Sequence, residues 1–202
     1  MSDQQKPNWQ PTGLIEEAFN IASHGHRDCV RKGTSIPYIS HLLGVSALVI
    51  EHGGTEVQAA AALLHDVLED TEIDEFMLRA LIDRPVVDIV VACSDTQKFP
   101  KPPWRERKEK YLTHLREMIA EPEVNPAILV ALADKVHNAE TTSDTVLHKS
   151  KTAKEIYDDP NFNARVGEQK WWYESLVTEF HKSRVAPDLV DRLDRAVQVI
   201  FK

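Results

Sequence analysis

Residues 55–70 read TEVQAAAALLHDVLED, and no other stretch limits the fold of this chain so tightly. The spacing predicts a helix beginning near Thr55, with Glu56 in its first turn. Its four consecutive alanines allow neighbouring helices to approach closely, which suits a helix at the centre of a core. Yet the apolar run ends in His65 and Asp66, with Glu69 and Asp70 one turn further on. Solvating a helix face does not require a His-Asp doublet there. A buried metal site does, and the remaining ligands must then come from elsewhere in the chain.

The rest of the sequence supports an all-α class. Only seven of 202 residues are glycine. Thr12 is placed to N-cap a first helix carrying Leu14, Ile15, Ala18, Phe19 and Ala22, with Glu16 and Glu17 in its first turn. DCVRKGTSIPYIS reads as a loop broken by Gly33 and Pro37. A second helix runs from His41 through Ile50 to HGG. DEFMLRALI and RPVVDIVVACS read as two more, the latter opened by Pro85, although its β-branched residues also allow a strand. A proline-rich loop at 98–103 leads into a charged helix through YLTHLREMIA. NPAILVALADKVHNAETT, QKWWYESLVTEF and PDLVDRLDRAVQVIF complete a bundle of about eight to ten helices. Residues 1–12 form a polar lead-in expected to be mobile, followed by one domain over 13–202.

A formal net charge of −8 argues against broad binding to nucleic acid polymers or anionic membranes. An anionic small substrate is still compatible, because a bound cation reverses the field in one pocket. Cys29 and Cys93 form no CxxC pair, and the N-terminal stretch has no apolar signal core. The expectation is a soluble, cytoplasmic protein.

Asp134 is a lone acid behind seven uncharged residues, AILVALA. A bare buried carboxylate costs several kcal/mol unless a cation or donor compensates it. With His41, His65 and Asp66 it makes a mixed N/O set for one divalent first-row cation, with Mn²⁺, Fe²⁺ and Zn²⁺ all fitting. Glu69 lies at the helical spacing that places it on the face of His65 and Asp66, and Asp70 one turn beyond Asp66. Either could take a proton from an attacking water or orient it, which suits hydrolysis of a phosphate ester or anhydride.

These segments, PYISH at 37–41, AALLHDVLEDT at 61–71 and LADKVHN at 132–138, resemble the HD-domain metal-dependent phosphohydrolases. Within that superfamily they are similar to the hydrolase domain of the RelA/SpoT family, especially the small alarmone hydrolases. The resemblance covers residues 14–142 and leaves C-terminal helices over 143–202. It implies a single HD-domain bundle and Mn²⁺-dependent removal of the 3′-pyrophosphate of (p)ppGpp. It also implies His41, His65, Asp66 and Asp134 as metal ligands and Glu69 and Asp70 as the pair that activates and positions water. Arg31, Lys32, Tyr38, Asn138 and Thr141 match residues lining the nucleotide site. Lys98, with Arg107 or Lys108, is a candidate for the distal phosphates.

Ala131 and Glu140 stand where many relatives carry lysine and arginine, which brings (p)ppApp in as an alternative substrate. Two further readings stay open: an HD phosphohydrolase releasing orthophosphate from another nucleotide or NADPH, and a nucleotide-sensing or antitoxin protein. A homodimer is also left open. His24 and His26 could reach the site from the end of the first helix. Trp171, Trp172 and Tyr173 are expected to pack the C-terminal helices or an oligomer contact.

Overall fold

A computed structural model describes residues 6–96 and 100–202. Among them the chain forms α1 (Leu14–Gly25), α2 (Ile39–Glu51), α3 (Glu56–Leu64), α4 (Val67–Asp70), α5 (Glu75–Leu81), α6 (Arg84–Cys93), α7 (Trp104–Ala120), α8 (Ala127–His148), α9 (Ala153–Tyr157), α10 (Val166–Ser183) and α11 (Pro187–Ile200). No strand forms among the described residues beyond an isolated bridge between Val30 and Pro37. The all-α reading therefore holds, and α4 and α9 are little more than single turns. No helix among the described residues is long and apolar enough to cross a membrane.

Packing places α3 at the centre, against α1, α2, α6 and α8. Thr55 and Gln58 close a capping box at its start, and Ala59 to Leu64 are all buried. The small side chains let α2 come close enough for the Ser46 hydroxyl to donate to the Ala59 carbonyl at 2.9 Å. The α2–α3 turn uses Gly53 at φ +81°, a left-handed conformation that favours glycine.

The structure departs from the sequence reading where the site begins. The helix expected to run unbroken to Asp70 ends at Leu64. Asp66, at φ −99° and ψ −1°, starts α4 instead, its carbonyl accepting from the Glu69 and Asp70 amides at 3.1 and 3.0 Å. α6 is helical, because Val86, Val87, Ile89, Val90 and Cys93 make one buried stripe that a strand would split across two faces. The N-cap of α1 is Gly13 rather than Thr12. The Thr12 hydroxyl accepts from the Leu14 amide at 3.2 Å and donates to Glu56, while the Trp9 indole donates to the Gly54 carbonyl at 2.9 Å. Trp9 and Thr12 thus each contact the α2–α3 region.

Beyond the centre, α8 spans 22 residues and packs against α11 through Leu189, Val190, Leu193, Ala196, Val197 and Ile200. A two-pronged ion pair from Arg192 to Glu140, at 2.8 and 2.9 Å, adds to that seam. Tyr173 is buried against Phe201 at the end of α11, whereas the buried Trp172 packs on Trp104 and Tyr111 of α7 rather than on the C-terminal helices. Trp171 instead sits under the Arg105 guanidinium, 3.3 Å from its ring centre.

Candidate metal centre and catalytic site

Four ionisable side chains converge from α2, the α3–α4 junction and α8. His41 lies in the first turns of α2 with no exposure, His65 is 4% exposed and Asp134 is 6% exposed. The His65 Nε2 stands 2.9 Å from Asp66 Oδ2 and 3.5 Å from Asp134 Oδ1, and the His41 Nε2 stands 3.1 Å from Asp134 Oδ1. Ligand atoms of His41, His65 and Asp66 all lie within 4.8 Å of one another.

Neither Nε2 has a hydrogen-bond partner, although both are buried. Both Nδ1 atoms are engaged: His65 with the Ala62 carbonyl at 2.8 Å, and His41 with His137 Nδ1 at 2.9 Å. Two buried ring nitrogens facing carboxylates with no bond of their own are what a divalent cation would satisfy.

The electrostatics agree. Burial holds the His41 imidazole down to about 4, against the pull of Asp134, so the ring is neutral. Burial also disfavours a charged His65, but Asp66 and Asp134 outweigh it and hold that ring well above its usual range. Asp66 and Asp134 stay well below the carboxylate range despite burial, through His65 for the first and Lys135 with both histidines for the second. The pull of Asp66 and Asp134 on His65 marks a concentration of negative charge that a bound cation would neutralise.

Polar contacts fix both carboxylates. The Tyr38 hydroxyl donates to Asp66 Oδ2 at 2.5 Å. Asn138 donates to Asp134 Oδ1 at 2.6 Å, and Lys135 pairs with Asp134 Oδ2. Arg31 in turn donates to Asn138 Oδ1 at 2.8 Å, with its guanidinium carbon 5.8 Å from the Tyr38 ring centre. Tyr38 stacks on the buried His26 at 5.1 Å, whereas His24 is exposed beside Arg27.

Glu69 and Asp70, adjacent in α4, face different surroundings. Glu69 Oε1 accepts from the Asp95 amide at 2.9 Å. Burial, then the charges of Asp95 and Asp66, push the Glu69 carboxyl up to about 8. Asp70 is exposed and pairs with Lys101 at 3.0 Å. Asp95 itself is held by Arg107 and by Lys108 at 2.6 Å, so these two cations brace Glu69's partner and are not free for phosphate. Lys32 is exposed beside Arg31, and Thr141 turns its hydroxyl to the His137 carbonyl at 2.7 Å. Lys98 lies outside the described residues.

Sequence reasoning passed over Asp95, Lys135 and His137. Lys135 and His137 sit inside LADKVHN, where spacing from Asp134 could have marked them. Asp95 carries no such signal, because its role comes from its backbone amide.

The HD domain family matches residues 18–158. The guanosine-3′,5′-bis(diphosphate) 3′-pyrophosphohydrolase MESH1 of Danio rerio is 34% identical over 135 residues, 65% of this chain and 70% of that protein. Its counterpart from Xenopus tropicalis is 36% identical over 128 residues, 62% and 67% of the two chains. A probable guanosine-3′,5′-bis(diphosphate) 3′-pyrophosphohydrolase of Synechocystis is 30% identical over 82% of this chain, which spans only 22% of that longer protein. Among solved structures, a metazoan orthologue of SpoT that hydrolyses ppGpp superposes with a TM-score of 0.72 at 22% identity, covering 94% of this chain and 97% of that one. A Listeria monocytogenes protein gives 0.64 at 27% identity, with 84% of this chain covered. Helical architecture, the His-His-Asp cluster and these matches agree: the chain belongs to the HD domain family and is a homologue of the RelA/SpoT ppGpp hydrolases.

Proposed function

We propose that this chain is a Mn²⁺-dependent 3′-pyrophosphohydrolase of guanosine or adenosine alarmones, releasing pyrophosphate and a nucleoside 5′-di- or triphosphate. The observation that carries the reading is the pair of buried, unpartnered Nε2 atoms of His41 and His65 facing Asp66 and Asp134, with a half-buried carboxyl three residues beyond Asp66. His41, His65, Asp66 and Asp134 would hold the cation. When bound, it supplies Lewis acidity and neutralises charge on the phosphoryl group.

The chain's own residues account for the remaining steps. Glu69 takes a proton from the attacking water, a role suited to a carboxylate whose affinity for protons is raised into the neutral range. Asp95, fixed by Arg107 and Lys108, keeps Glu69 oriented through its amide. Asp70, facing solvent, orients water at the rim. Arg31, steadied by Asn138 beside the Tyr38 ring, offers a planar cation to a purine face, and exposed Lys32 meets phosphate.

The test is to strip the protein of metal and incubate it with ppGpp and ppApp, with and without Mn²⁺, resolving products by ion exchange. Mn²⁺-dependent appearance of GDP or ADP with pyrophosphate supports the reading and identifies the base. Orthophosphate release, or no turnover of either alarmone with metal bound, overturns it.

A further inference from the structure

We propose that His137 is a positioning residue for the metal centre: it accepts the Nδ1 proton of His41, which leaves the His41 Nε2 lone pair for the cation. The inference rests on the reading of His41 as a ligand.

The two histidines nearest the centre are oriented in different ways. His65 Nδ1 faces a backbone carbonyl at 2.8 Å, which can only accept, so Nδ1 carries a proton and in the neutral ring the lone pair is left on Nε2. His41 has no carbonyl in that position. Its Nδ1 faces another imidazole nitrogen, His137 Nδ1, at 2.9 Å, with ring centres 4.8 Å apart. One proton is shared in that contact. When it resides on His41, Nε2 is available as a ligand; when it resides on His137, a neutral His41 must carry its own proton on Nε2 and cannot ligate. The partner ring therefore decides whether His41 can bind metal.

A second observation shows that the fold makes room for this ring. Gly44 lies three residues after His41, on the same face of α2. A Cβ there would fall well inside van der Waals contact of His137 Nε2 and Cδ2. Glycine within a helix costs roughly 0.5–1 kcal/mol relative to alanine. At this position that cost leaves the space the imidazole occupies. From the other side, His137 lies three residues after Asp134 on α8, so one helix presents both a carboxylate to His41 Nε2 and an acceptor to its Nδ1.

The experiment is calorimetric titration of Mn²⁺ into metal-stripped wild type, His137→Phe, His137→Asn and Gly44→Ala, with thermal unfolding of each metal-free form alongside. No substrate is present, so failure of the alarmone reading does not affect the result. His137→Phe keeps the volume but has no acceptor, and Gly44→Ala displaces the ring; each weakens Mn²⁺ binding by about 10- to 100-fold. His137→Asn places an amide oxygen where Nδ1 stood and binds close to the wild-type value. If His137→Phe does not fold, the contrast between His137→Asn and Gly44→Ala carries the test. Wild-type affinity in His137→Phe or Gly44→Ala, or an equal loss in the asparagine and phenylalanine variants, overturns the inference. Absence of Mn²⁺ binding by the wild type overturns the metal centre itself.

Discussion

Arg31 and Asn138, 107 residues apart in sequence, meet at 2.8 Å, and the other end of the same amide donates to Asp134 at 2.6 Å. One side chain thus joins the loop before α2 to the carboxylate in the middle of α8. Replacing Asn138 by Leu removes both bonds and frees Arg31 and Asp134 together. The expected outcome is a higher KM for the nucleotide together with weaker Mn²⁺ binding, read from steady-state kinetics and calorimetry. An Arg31→Ala change should raise KM and leave metal affinity near wild type, because Arg31 touches Asp134 only through the amide.

Glu69 gives the metal-free protein a pH dependence of definite sign. Its carboxyl is raised from 4.5 to about 8 by burial and by the neighbouring Asp95 and Asp66 charges. Between those values the folded chain binds a proton that the unfolded chain does not. Its contribution to stability therefore falls as pH rises through that window. Urea unfolding of the metal-free protein from pH 5 to pH 8 should show this fall, and Glu69→Gln should flatten it. On the proposed mechanism the same substitution also removes the group that would accept the water proton, with an expected loss of kcat of about 10²- to 10⁴-fold.

Asp95 presents a different kind of dependence. Its carboxylate is held to about 2 against burial by Lys108, with Arg107 also pairing with it. Asp95→Ala leaves two enclosed cations without their partner, at a cost of about 3–5 kcal/mol. The denaturant midpoint should fall accordingly. Asp95→Asn keeps the backbone amide that reaches Glu69 but not the charge, so it should show a smaller loss of activity than of stability.

On the far side of α8, two contacts with α11 separate packing from ion pairing. Leu193 is fully buried, and Leu193→Ala should cost about 2–5 kcal/mol. Glu140→Gln at the half-exposed pair with Arg192 should cost about 1 kcal/mol or less. Equal losses in the two variants would show that the charge pair, rather than the apolar stripe, holds α11 in place.

Periodicity revealed the helical class, because apolar residues at helical spacing have few other ways to be buried. The two histidines and two acids were legible for a related reason: ionisable groups inside apolar runs need compensation, and Asp134 stands alone in such a run. What sequence concealed was local geometry. The spacing from Asp66 to Glu69 and Asp70 suggests a shared helix face, but the turn at His65 and Asp66 sends Glu69 inward and leaves Asp70 in solvent. Arg107 and Lys108 look like phosphate contacts when Asp95 is taken for an ordinary loop acid. Composition cannot tell a bracing cation from a binding one.

The placement of α8 has a consequence for the order of assembly. His41 and His137 are 96 residues apart, and Asp134 comes more than sixty positions after the His65–Asp66 doublet. A chain emerging from the ribosome therefore displays the doublet long before its last acidic partner exists. A cation held by His41, His65, Asp66 and Asp134 would reward only the conformation in which α8 has docked onto α2 and α3, and so would act as a late clasp rather than an early nucleus. Manganese should accordingly slow unfolding of the finished protein while leaving the earliest refolding phase unchanged.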